Sequence, residues 1–102
     1  MPISGDLYPF TKNNVDSSPA QSGVYALYLN DNLRYIGRAL GNTTTIRSRL
    51  QDHYAGRDGR CTQQSSHYKR EVVSNAAARE KQLLQEYYNR HGRLPVCNNT
   101  MP

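Results

Sequence analysis

Apolar residues fall along this chain in two periods. From Val24 to Leu29, and again from Leu33 to Ile36, they run almost unbroken and favour the aliphatic and aromatic types that suit strands. Asn30, Asp31 and Asn32 stand between the runs, and Asn and Asp tolerate the left-handed backbone angles of a turn. The pattern predicts a β-hairpin ended by Gly37. Alternation along its first strand puts Tyr25 and Leu27 on one face, with Val24, Ala26 and Tyr28 on the other. The period then lengthens. Ile46, Leu50 and Tyr54 share one face of a short helix that Thr44 or Thr45 can cap. Residues 68–73 read as a third strand. Leu83, Leu84, Tyr87 and Tyr88 recur at helical spacing in the strongest helix, residues 76–90, capped by Ser74 or Asn75 and stopped by Gly92 with Pro95 beyond. The order β-β-α-β-α predicts a small α+β domain, a three-stranded, mainly antiparallel sheet flanked by helices. Residues 1–21 read as an arm of turn and linker chemistry that Tyr8 and Phe10 could anchor, and residues 22–102 as the domain. Segments 41–45 and 55–66 read as loops.

Composition narrows this picture. A chain of 102 residues fits one domain, and 36% apolar residues with a mean hydropathy of −0.84 allow only a modest core. No run approaches the roughly 18 apolar residues of a membrane span. The N-terminal stretch has neither a basic start nor a continuous apolar segment, so no signal peptide and a cytoplasmic location are expected. Cys61 and Cys97 could pair, but in that setting two free thiols are the expectation. With His53 and His67 they lack the paired spacing of zinc ligands.

Charge adds a partner. Between Arg34 and Arg70 lie eight cationic residues and only two carboxylates, Asp52 and Asp58. Arginine dominates, and its planar fork suits phosphate oxygens. Arg38, Arg47, Arg57, Arg60, Lys69 and Arg70 are candidate nucleic-acid contacts, against the plainer alternative of a solvated basic face.

Within this frame a few residues stand out. Glu80 precedes Leu83, Leu84 and Tyr87 by three, four and seven residues, beside the buried stripe of its helix. A buried carboxylate needs a partner, which would be an arginine or a divalent cation. Arg49 and His53 are one turn apart and share a face. As a pair they could stabilise charge on a phosphate and move a proton, or be ordinary surface residues. A tyrosine is a poor base near neutrality, since its free pKa is about 10, but a nearby cation favours its phenolate.

These residues together resemble the GIY-YIG nuclease superfamily. The naming motifs stand as Gly23-Val24-Tyr25 and Tyr35-Ile36-Gly37, followed by Arg49 before Leu50, His53 one turn later, Glu80 before Leu83-Leu84, and Asn98 after a proline. The resemblance covers about Ser22 to Asn99. It implies a metal-dependent endonuclease that hydrolyses phosphodiester bonds in DNA. Tyr25 or Tyr35 would activate water, Glu80 hold one Mg²⁺ or Mn²⁺, Arg49 neutralise developing charge, His53 assist by hydrogen bonding or proton relay, and Asn98 orient its neighbours. It implies a monomer or homodimer acting on DNA, with targeting left to DNA shape, dimerisation or a separate partner. The chain departs from the family pattern at Arg38, where lysine is frequent, in a longer Thr-rich stretch before Arg49, and at Cys97, where a larger residue is common. The competing reading is a nucleic-acid-binding module that uses the same basic groove without cutting.

Overall fold

The computed structural model describes residues 2–99; the last three residues of the expected domain, 100–102, lie outside the described residues. In chain order the elements are β1 (Tyr8–Pro9), α1 (Lys12–Asp16), β2 (Gly23–Leu29), β3 (Asn32–Ala39), α2 (Ile46–Tyr54), α3 (Arg60–Gln63), β4 (His67–Val72) and α4 (Ala76–His91). The fold is α+β, with an antiparallel sheet in the order β1-β4-β2-β3. Among the described residues no helix is long and apolar enough to cross a membrane.

The hairpin forms as its sequence dictates. Asn30 adopts φ +56°, and β2 pairs with β3 so that Tyr25 faces Gly37 and Leu27 faces Tyr35. Gly37 does not end the return strand, which continues to Ala39. Its lack of a side chain is needed for another reason: a Cβ there would collide with Cζ and Oη of Tyr25. The two faces of β2 feed two cores. Tyr25 and Leu27 pack with Phe10, Val15, Ile46, Leu50 and Tyr68, while Val24 and Ala26 pack with Ile3, Ile36, Leu83 and Leu84.

Both main helices start on side-chain caps. Thr45 and Ser48 form a reciprocal capping box at α2, and Asn75 accepts from the Ala78 N–H at α4. Gly92 closes α4 in the left-handed conformation, φ +71°. On α2 the buried residues are Ile46, Leu50 and His53. Tyr54, expected in that stripe, lies at its margin with its ring against Phe10.

Further expectations are corrected. The sheet has four strands, because Tyr8 and Pro9 pair with Tyr68 and His67. Segment 1–21, expected to be irregular, also supplies α1 and the buried Ile3, Phe10 and Val15. A two-residue strand and a five-residue helix are too short to leave a readable period. Lastly, Cys61 and Cys97 are not free thiols but a disulfide. After α4 the chain returns along the free edge of β3, where the Cys97 N–H donates to the Arg34 carbonyl. That return brings two cysteines 36 residues apart in sequence to a Cα separation of 5.7 Å.

Candidate active site

A cleft of about 470 Å³ opens at the β3 edge, between the α2 face and the α4 face of the sheet. It is lined by Tyr25, Tyr35, Arg38, Arg49, Glu80, Leu84, Asn98 and Asn99. Each element delivers its side chain for a local reason. Tyr25 and Tyr35 lie on the α2 face, one fixed by strand alternation and the other by its pairing opposite Leu27. Arg38 pairs opposite Val24 and so belongs to the α4 face, where Glu80 projects from the first turns of α4.

On the α2 side the groups are densely bonded. Tyr25 is fully buried, and its hydroxyl shares a 2.8 Å hydrogen bond with His53 Nε2. The Tyr35 ring lies 5.1 Å from the His53 ring and 6.1 Å from that of Tyr25. His53, 1% exposed, sets Nδ1 at 2.9 Å from Thr62 Oγ1 and 3.5 Å from Asp58 Oδ2. Arg49 bridges Asp58, at 2.9 Å, and Asp52, at 3.1 Å.

Burial dominates the electrostatics there. It raises the Tyr25 phenol well above the ordinary tyrosine range; Tyr35 adds to the rise and Arg49 opposes it. Tyr35 is raised by burial too, again with Arg49 opposing. Burial, and then the Arg49 charge, pull His53 down to about 4, so its imidazole is neutral at neutral pH.

The α4 side is sparse. Glu80 is largely buried, its side chain 12% exposed, and it meets the more exposed Arg38 Nη1 at 3.3 Å. Burial raises its carboxyl, with Arg38 working the other way. Comparison of the chain with protein-family models, with curated proteins and with solved structures finds no match.

As a cation site, the cleft offers a hard divalent ion the oxygens of Glu80. One carboxylate faces the cleft with room beside it for water and phosphate oxygens. Among the described residues no cluster of three or more His, Cys, Asp or Glu could hold a metal, so a cation at Glu80 would take most of its ligands from elsewhere.

Asn98 reaches the cleft rim with its amide fully engaged. Its Nδ2 donates to the Ile36 carbonyl and its Oδ1 accepts from the Ile36 N–H, both at 3.0 Å. It thereby acts as one extra rung on the open edge of β3. Of the expected nucleic-acid contacts only Arg38 lines the cleft. Arg47 Nε donates to the Ser18 carbonyl at 2.8 Å, tying α2 to the N-terminal segment. Arg70 stacks over the Tyr8 ring at 4.3 Å. Arg57 is exposed and ion-paired to Asp52, and Arg60 is exposed on α3. Lys69, opposite Ala26, lies on the α4 face away from these. Two contributors were not singled out from sequence, Asp58 and Thr62. The only sequence hint was that Asp58 is a lone carboxylate between two arginines.

Proposed function

We propose that this chain is a metal-dependent endonuclease of the GIY-YIG type that hydrolyses phosphodiester bonds in DNA. The observation that carries the reading is the convergence of Tyr25, Tyr35, Arg49 and Glu80 on one cleft from four separate elements.

The residues divide the work. Arg49 and Arg38 offer guanidinium groups to a phosphate, which would exchange their present carboxylate partners for phosphate oxygens. Tyr25 and not Tyr35 is the base, because only Tyr25 has a proton acceptor behind it. With its pKa raised, the phenol is neutral at rest. It takes a proton from water as it passes its own to the neutral Nε2 of His53. Its burial on the cleft floor screens that water from bulk. Tyr35 packs on His53 and completes the wall. Asn98 holds the β3 edge in position. Glu80, freed from Arg38, would hold the cation, Mg²⁺ or Mn²⁺. A cation bound there supplies polarisation of the phosphate and charge stabilisation on the leaving oxygen.

The test is nicking of supercoiled plasmid with Mg²⁺ or Mn²⁺, comparing wild type with Glu80→Ala and Tyr25→Phe. Nicking by wild type, lost in both variants, is expected. Salt-dependent DNA retention with no cleavage of any substrate would overturn the reading in favour of a binding module.

A further inference from the structure

His53 is enclosed by named groups on every side. Arg49 and Asp52 face it from α2, Asp58 from the loop beyond, Tyr25 and Tyr35 from the sheet, and Thr62 from α3. A neutral imidazole carries its proton on one nitrogen only, and a carboxylate can only accept. A proton on Nε2 would leave a bare Nδ1 lone pair facing the Asp58 carboxylate. A proton on Nδ1 faces Asp58 Oδ2 at 3.5 Å, which can only accept, and Thr62 Oγ1 at 2.9 Å, a hydroxyl that can accept or donate and so holds the ring in either form. Nε2 is then the lone pair, and the Tyr25 hydroxyl donates to it.

We propose that Asp58, with Thr62 holding the ring in place, is a positioning residue that fixes His53 in its Nδ1–H form and so keeps Nε2 open as the proton acceptor behind Tyr25. The geometry stands by itself; its catalytic consequence rests on the nuclease reading. Thr62 is well suited to hold a ring in place. It is buried, and its carbonyl accepts from Ser65 Oγ at 2.7 Å. Its neighbour Cys61 is bonded to Cys97, which anchors α3 to the β3 edge. It is also uncharged, so replacing it removes a hydrogen bond and leaves the charges around His53 unaltered.

Two readouts test this. Nitrogen-15 NMR of labelled histidine at neutral pH reports which ring nitrogen of His53 is bare. Wild type and Thr62→Val, which keeps the Asp58 carboxylate, are expected to have a bare Nε2, whereas Asp58→Asn, whose amide can donate to Nδ1, populates the Nε2–H form. In plasmid nicking, Asp58→Asn lowers kcat roughly tenfold to a hundredfold, and Asp58→Glu recovers most of the rate. Asp58→Ala is read the same way should the asparagine variant not fold. A wild-type His53 protonated on Nε2 would overturn the proposal, as would Asp58→Asn with both the wild-type tautomer and the wild-type kcat. If wild type nicks no DNA, the nuclease reading falls, and the tautomer comparison alone decides the role of Asp58.

Discussion

The two walls of the cleft are built on opposite principles. On the α2 side, Tyr25, His53 and Thr62 form a buried chain of hydrogen bonds, and Arg49, Asp52 and Asp58 add a partly exposed set of ion pairs beside it. On the α4 side one carboxylate meets one arginine at 3.3 Å, on the flank of a regular helix. A buried polar network is costly when half satisfied and rigid when complete. A single partly exposed pair contributes little and rearranges easily. The contrast matches the division of labour proposed above. Proton transfer needs groups held within hydrogen-bond reach, whereas a cation and a phosphate must be admitted and released.

The sharpest way to break that comparison is to delete one functional group from each wall and read activity and stability separately. Tyr25→Phe should lower nicking by roughly a hundredfold to ten-thousandfold. It should also destabilise the fold by about 1–3 kcal/mol, because His53 Nε2 is left buried without a partner. Glu80→Ala should lower nicking by at least about a hundredfold yet change stability by less than about 1 kcal/mol, since it removes only one partly exposed pair. Denaturant titration alongside the nicking assay measures both. Equal stability losses in the two variants would mean that the walls do not differ as described.

The two walls were also unequally legible in the sequence. Strand alternation by itself put Tyr25 with Leu27, away from Val24, Ala26 and Tyr28, as found. The position of Glu80 against the apolar stripe of α4 likewise pointed to a carboxylate on or beside the buried face, and its side chain is largely buried. The interior of the α2 wall was hidden. Tyr54 looked the better apolar residue for the α2 stripe, but His53 took the buried place because Tyr25 and Thr62 satisfy both its nitrogens. Charge counting could not tell inward from outward arginines: Arg47 serves a carbonyl and Arg70 a tyrosine ring. The disulfide depends on a chain reversal after α4 that no local period encodes.

That disulfide is the one covalent link from the α2 wall, through α3, to the β3 edge. Replacing Cys97 by Ser should cost about 2–4 kcal/mol, in line with a closed loop of 36 residues. The loss should be uneven. The Ile36 amide, which donates to Asn98, should exchange with deuterium faster, while Ala26 in the sheet centre slows or quickens only with global stability. If the Ile36 amide keeps its wild-type protection relative to Ala26, Asn98 holds the edge without help from the disulfide, and the link between the walls is not mechanical.

The smallest effect expected comes from pH, and it reports on the α2 wall alone. The His53 pKa falls from an ordinary 6.5 to about 4 in the fold. Between those values the unfolded chain binds a proton that the folded chain refuses. Stability from this source is therefore complete above pH 6.5 and is lost as pH falls toward 4. From pH 7 to pH 5 the loss should be about 2 kcal/mol. Glu71, held down to about 2 chiefly by its hydrogen bond from Arg79, loses its contribution lower, as pH falls from 4.5 toward 2, and lies outside this window. Glu80, raised by burial, acts in the opposite sense and belongs to the other wall. The decisive quantity is the difference in stability between pH 7 and pH 5, compared in wild type and His53→Gln. The difference should largely vanish in the variant. If it persists unchanged, His53 is not the buried neutral base of the α2 wall, and the proton path from Tyr25 loses its acceptor.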